Sequence, residues 1–208
     1  MIDYAIKHPD KWGNALLEHL EILFITMVIS IIVAVLLTIV VLTSEWVSRV
    51  FIYVFSILYS IPSLALFTIM IPVTGLGTTT AIIVLILYNQ YILLRHVIAG
   101  LNHVDQPIIE AATGLGMSRL QILIQIRTPL AIQTLFTGLR LASVSTIGMA
   151  TIAAFINAGG LGTILYDGLR TMNIDKILWG SILSAGLALA TNALFIQLEK
   201  RIYIGTGR

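Results

Sequence analysis

From Ile22 to Thr43 the chain carries no charged residue. A helix crossing the hydrocarbon core of a bilayer needs roughly 20 largely apolar residues. Lipid offers no partners to backbone N–H and C=O groups, so a chain built of such runs crosses as helices or not at all. Four more runs follow: Val50 to Val73, Thr78 to Leu94, Leu130 to Ala158 with only Arg140 inside it, and Ile177 to Gln197. Only 11% of the 208 residues are charged and 58% are hydrophobic, whereas a soluble domain carries roughly a quarter charged residues. The spacing predicts an all-α membrane protein with five transmembrane helices, forming a single domain over residues 1–208.

Composition also excludes several classes of function. A net charge of +2 without a basic run gives no footprint for nucleic acid. The absence of cysteine rules out disulfides, zinc–thiolate sites and iron–sulfur clusters. Asp3, Lys7, Asp10, Lys11, Glu18 and Glu21 precede the first run, a pattern unlike a signal peptide, so that run is expected to be retained. His96 and His103 have no third ligand at metal spacing, so no metal site is expected. No nucleophile–base pair or carboxylate pair stands out, and no catalytic residue is expected.

Proline and glycine punctuate the runs. Pro62 predicts a kink near Ile61, and Pro72 a helix end near Ile71. Gly75-Leu76-Gly77 reads as a reversing turn. Arg95 and His96 close the third span. Asn157-Ala158-Gly159-Gly160-Leu161-Gly162 ends the fourth, and a loop with Asp167, Arg170, Asp175 and Lys176 leads to the fifth. Basic residues then set the orientation. Arg49, Arg95, Arg119, Arg127, Lys200, Arg201 and Arg208 fall on one side, and only Lys7, Lys11, Arg170 and Lys176 on the other. The side holding the segment 102–129 is therefore expected to be cytoplasmic, with the N-terminus outside.

The segment 102–129 reads as two short helices. Asp105 is a good N-cap, Pro107 suits a first turn, and Glu110 adds negative charge near the helix start. Ile108, Ile109, Ala112 and Leu115 form one apolar stripe. Gly116 fits the left-handed position after a helix. Ser118 with Gln121 makes a capping box for the second helix, and Pro129 leads into the fourth span. On periodicity alone such a loop either lies on the membrane surface or docks on a partner.

Glu110, Ala111, Ala112, Gly116, Ile126 and Pro129 also match, at the right spacing, the cytoplasmic signature of bacterial ABC-importer permeases. Thr128 departs from it, since that position usually holds Leu. Ser60-Ile61-Pro62-Ser63-Leu64-Ala65, Gly75-Leu76-Gly77 and the 156–162 stretch resemble the glycine betaine/carnitine/choline branch of these permeases. The resemblance covers essentially the whole chain. It implies a type I importer permease in the bacterial cytoplasmic membrane, with the 102–129 loop as the coupling element. It further implies a second permease subunit, identical or homologous, two ATP-binding cassette subunits, and an extracellular substrate-binding protein. ATP would be bound by the partner, leaving this chain without a cofactor; it has no G-x-x-x-x-G-K-S/T motif. Alternatives are a permease for another small solute such as methionine, or a self-contained channel or carrier.

Within the spans, four residues are candidates for a translocation pathway. Arg140 either lines the pathway or braces a gate there, or it snorkels or pairs with a carbonyl. Tyr88, Asn89 and Tyr91, with Gln90, make a polar patch in the third span, and Tyr53 and Tyr59 occur in the second. The tyrosines offer faces to a quaternary ammonium, or they are packing and belt residues.

Overall fold

The computed structural model describes residues 9–205, and every described element is helical. Asp3, Lys7 and Arg208, which entered the charge balance, lie outside the described residues. The helices are α1 (Pro9–Val41), α2 (Glu45–Ser60), α3 (Ser63–Thr74), α4 (Thr78–Asn102), α5 (Gln106–Gly114), α6 (Arg119–Ile122), α7 (Thr128–Ile152), α8 (Gly162–Arg170) and α9 (Ile174–Gly205). A π turn at Leu123–Arg127 joins α6 to α7, and a 3-10 turn at Ala153–Ile156 ends α7.

Four of these segments are long and apolar enough to cross a membrane alone, and α2 with α3 makes a fifth as a bent pair. The 16 residues of α2 rise about 24 Å at 1.5 Å per residue, short of the roughly 30 Å hydrocarbon core. The chain then bends by 98° into α3. The expected kink at Ile61 is thus a full break. Tyr88 Oη donates to the freed Ile61 carbonyl at 2.5 Å, which is how a membrane protein keeps a broken helix satisfied. Pro72 does not stop α3 near Ile71 as expected. The helix runs on to Thr74 and closes with Gly75 N–H on Ile71 O at 2.8 Å.

α4 is the central element, packed between α1 and α7, with α2 and α3 along its other side. Small residues allow the close approach that drives helix association in lipid. At Gly138 on α7 an added Cβ would stand 2.7 Å from His96 Cβ, and at Gly100 on α4 one would stand 3.1 Å from Ala131 Cβ. One apolar cluster joins Ile22, Phe67, Val84, Leu85, Tyr88 and Ala150, and another joins Met27, Ala34, Leu93 and Ala142. α9 packs on α7 and α8 at the periphery.

Several boundaries differ from the sequence reading. α1 begins well before Ile22, and α4 continues past Leu94 to Asn102, so Arg95 and His96 lie inside a helix. The loop carrying Asp167 and Arg170 is largely the nine-residue helix α8. Leu42 of the α1–α2 link, Leu101 of α4 and Leu120 of α6 line one groove and mark one end of the bundle. Glu18, Thr78 and residues 158–160 meet at the opposite end. The chain crosses between these ends five times, counting α2 and α3 as one crossing.

Candidate functional site

The 102–129 segment is built by local capping. Asp105 precedes α5 but makes no side-chain cap, and Pro107 sits in the first turn. Glu110 is the fifth residue of the helix, beyond the first turn where a carboxylate gains most from the helix dipole. The charge reading of Glu110 is therefore corrected: it is an exposed acid on the helix flank. At the other end Gly116 has φ +80°, Met117 N–H reaches Ala112 O at 3.1 Å, and Gly116 N–H reaches Thr113 O at 3.0 Å. That pair of bonds is a Schellman closure. Ser118 then starts α6 with a complete capping box: Gln121 N–H donates to Ser118 Oγ at 3.3 Å, and Ser118 N–H donates to Gln121 Oε1 at 2.7 Å.

The two small residues expected to face a partner divide. Ala112 is buried within the chain, while Ala111 is exposed. Leu115 is 84% exposed and Leu120 64%, so an uncovered apolar ridge flanks the turn, while Ala112 of the expected stripe faces inward. α6 is not a separate helix. It passes through the π turn into α7, with Ile126 in the turn and Pro129 in the first turn of α7. Pro129 has no N–H and would clash with the carbonyl four residues earlier in a regular helix. The wider turn absorbs this, and Thr128 donates from both its N–H and its Oγ1 to Leu123 O.

The intramembrane candidates separate into different places. Asn89 is fully buried: its Nδ2 donates to Ser30 Oγ at 3.2 Å and Thr146 Oγ1 at 3.0 Å, and Thr146 Oγ1 lies 3.1 Å from Asn89 Oδ1. It ties α1, α4 and α7 together. Arg140 lies 3.8 Å from Glu199 of α9, which answers its charge between two helices; neither snorkelling nor a carbonyl partner is needed. Tyr88 is 2% exposed and supports the α2–α3 break. Tyr91 remains half-buried, 5.0 Å from the Tyr59 ring, with Arg95 Nη1 donating to its hydroxyl at 2.9 Å.

At the far end, the Asn157–Gly162 stretch is a clasped collar. Asn157, Gly159 and Gly160 all have positive φ. Gly160 N–H donates to Glu18 Oε2 at 2.9 Å, Leu161 N–H to His19 Nδ1 at 3.3 Å, and Thr78 Oγ1 to Ala158 O at 3.1 Å. A Cβ at Gly159 would meet Glu18, and one at Gly160 would meet His19, both under 3 Å. Sequence reasoning missed Glu18 and His19. Their signal was two adjacent polar residues just before an uncharged run. Beside the collar, a cavity of about 370 Å³ is lined by Lys11, Trp12, Glu18, Asp167 and Lys176. The Lys176 hydrogen bond holds the Asp167 carboxyl below its ordinary range. No group of three His, Cys, Asp or Glu among the described residues could hold a metal ion.

Comparison with known proteins gives this architecture its place. The profile of the family described as "Binding-protein-dependent transport system inner membrane component" matches residues 26–203. A carnitine transport permease of Listeria monocytogenes is 37% identical over 185 residues, covering 89% of this chain and 85% of the relative. A glycine betaine/carnitine/choline transport system permease of Bacillus subtilis is 31% identical over the same coverage. A Helicobacter pylori ergothioneine transport permease/binding protein is 40% identical over 132 residues, and the match spans only 24% of its length. Among solved structures, the inward-facing MetNI methionine transporter aligns with TM-score 0.84 at 19% identity, over 92% of this chain and 96% of that one. With its profile match and its five-crossing helical fold, the chain belongs to the binding-protein-dependent transport inner-membrane component family.

Proposed function

We propose that this chain is one half of the membrane channel of an ATP-driven importer for quaternary ammonium osmoprotectants such as glycine betaine, carnitine and choline. In this reading two ATP-binding cassette subunits dock on the 102–129 segment and bind the ATP. A second permease, identical or homologous, completes the channel, and an extracellular receptor delivers substrate. The single observation that carries the docking role is the uncovered Leu115–Leu120 ridge, held rigid by back-to-back caps at one end of the bundle. The permease names of the relatives support the substrate class. The excess of basic residues, six to four once Arg95 is placed within α4, supports placing this end in the cytoplasm and the N-terminus outside.

Co-purification with an ATP-binding subunit, followed by uptake assays in cells that depend on this importer, tests the proposal. Carnitine, glycine betaine or choline should accumulate under hyperosmotic conditions. Uptake of methionine and of no quaternary amine would overturn the substrate class and leave the importer role standing. A chain that moves solute without any ATP-binding subunit would overturn both.

A further inference from the structure

Arg95 lies on α4 seven residues before its end, about 10 Å along the axis at 1.5 Å per residue. It is exposed in the single chain and pairs with no carboxylate among the described residues. Its Nη1 donates to Tyr91 Oη at 2.9 Å, and its guanidinium carbon stands 5.9 Å from the centre of the Tyr91 ring. A guanidinium presents five donors in a fixed fork matched to a carboxylate. Here one of them is taken by a neutral phenol. Charged groups within membrane segments face protein or water rather than lipid, so this face of α4 borders a wet space or a partner.

Tyr59 stands on the same face, in the last turn of α2 just before the break. Its ring lies 5.0 Å from Tyr91 and 5.6 Å from Tyr88. Broken helices in membrane transporters commonly mark the place where a solute is held during transport. The cluster thus joins an open cation to two aromatic rings beside such a break, with Tyr88 fixing the break from behind.

We infer that Arg95, Tyr91 and Tyr59 form a transient station for a zwitterion, the guanidinium taking the carboxylate and the part-exposed Tyr59 ring taking the trimethylammonium group, with Tyr91 in contact with both. The reason is electrostatic. Arg95 already occupies the cation–π position over Tyr91, so a bare quaternary ammonium approaching the rings is repelled. A solute carrying its own carboxylate places a negative charge between the two cations. Glycine betaine and carnitine match that arrangement, and choline does not. The station deepens the proposed quaternary ammonium function, on which it rests, and makes Arg95 a determinant of specificity.

The test uses the complete importer, with its ATP-binding subunits and receptor, reconstituted in vesicles. Each solute is supplied at a concentration that saturates the receptor, so receptor preference drops out. Loss of a charge-assisted hydrogen bond corresponds to about tenfold, so Arg95→Gln should cut maximal glycine betaine and carnitine uptake by about that factor. Choline uptake should be retained or raised, and Arg95→Lys should fall between. Tyr59→Leu should slow glycine betaine and carnitine, and more so than Tyr59→Phe, which keeps the ring. Stimulated ATP hydrolysis and the amount of assembled complex report folding independently. An equal loss of all three solutes in Arg95→Gln, or no loss of any, would overturn the station. Wild-type vesicles that carry no quaternary ammonium at all would overturn the proposed substrate class as well.

Discussion

Gly162 leaves no space for a methyl group: a Cβ there would stand 2.0 Å from the Thr151 carbonyl oxygen. That neighbour is backbone and cannot swing away. Gly162→Ala should therefore destabilise the permease by about 1–3 kcal/mol, the usual cost of overpacking, read as a lower unfolding midpoint in detergent. Gly186 on α9 is the control, since its Cβ would meet nothing within 4 Å. Gly186→Ala should be neutral or slightly stabilising, because it only removes chain freedom. Equal midpoints for the two variants would refute the close approach of α8 and α7. Arg140 gives a second expectation at this scale. Removing one partner of a pair that joins two helices within the membrane leaves the other charge unbalanced, so Arg140→Gln should lower the amount of assembled protein while uptake per assembled transporter stays near wild type. A complete loss of transport in assembled protein would return Arg140 to the pathway.

Among the elements, the 102–129 segment was the most legible in sequence, because caps are local. Ser118, Gln121 and Gly116 each act within a few residues of themselves, and the structure places all three as the pattern predicts. Apart from the Asp105 cap and the Glu110 charge, which failed locally, what failed there depended on distance. Ala112 turned inward and α6 fused with α7, since burial and the fate of the Pro129 turn are decided by packing rather than by spacing. α8 escaped for a related reason: nine residues with Asp167 and Arg170 are too short and polar to announce a helix. The tyrosines were visible as a set, yet only the folded chain separates Tyr88, which holds a backbone carbonyl, from Tyr59 and Tyr91. Gly116 supplies the prediction at this scale. Its Cβ would meet no neighbour within 4 Å, but φ is +80°, and a left-handed residue other than glycine costs about 1–2 kcal/mol. Gly116→Val should lower uptake without changing the amount of protein in the membrane, and Gly116→Asn, which tolerates this conformation, should be milder. Equal uptake in wild type and Gly116→Val would remove the turn from the coupling path.

For the whole molecule, five crossings put the two ends of the described chain on opposite sides, and the orientation can be tested directly. A Ser118→Cys variant of this cysteine-free chain should react with an impermeant thiol reagent only after the cells are opened. Reaction in intact cells would invert the proposed topology. The fusion of α6 with α7 has a mechanical consequence. The segment from Arg119 to Ile156 is one unbroken helical piece of 38 residues, about 57 Å long at 1.5 Å per residue. It ends beside the collar that Glu18 and His19 clasp. A push at one tip is delivered along backbone hydrogen bonds, with no slack linker to absorb it, and the π turn at Leu123–Arg127 is the only irregular joint before the 3-10 turn. Under the proposed docking such a piece would act as a crank, taking torque at the ridge on one face of the membrane and delivering it at the glycines on the other.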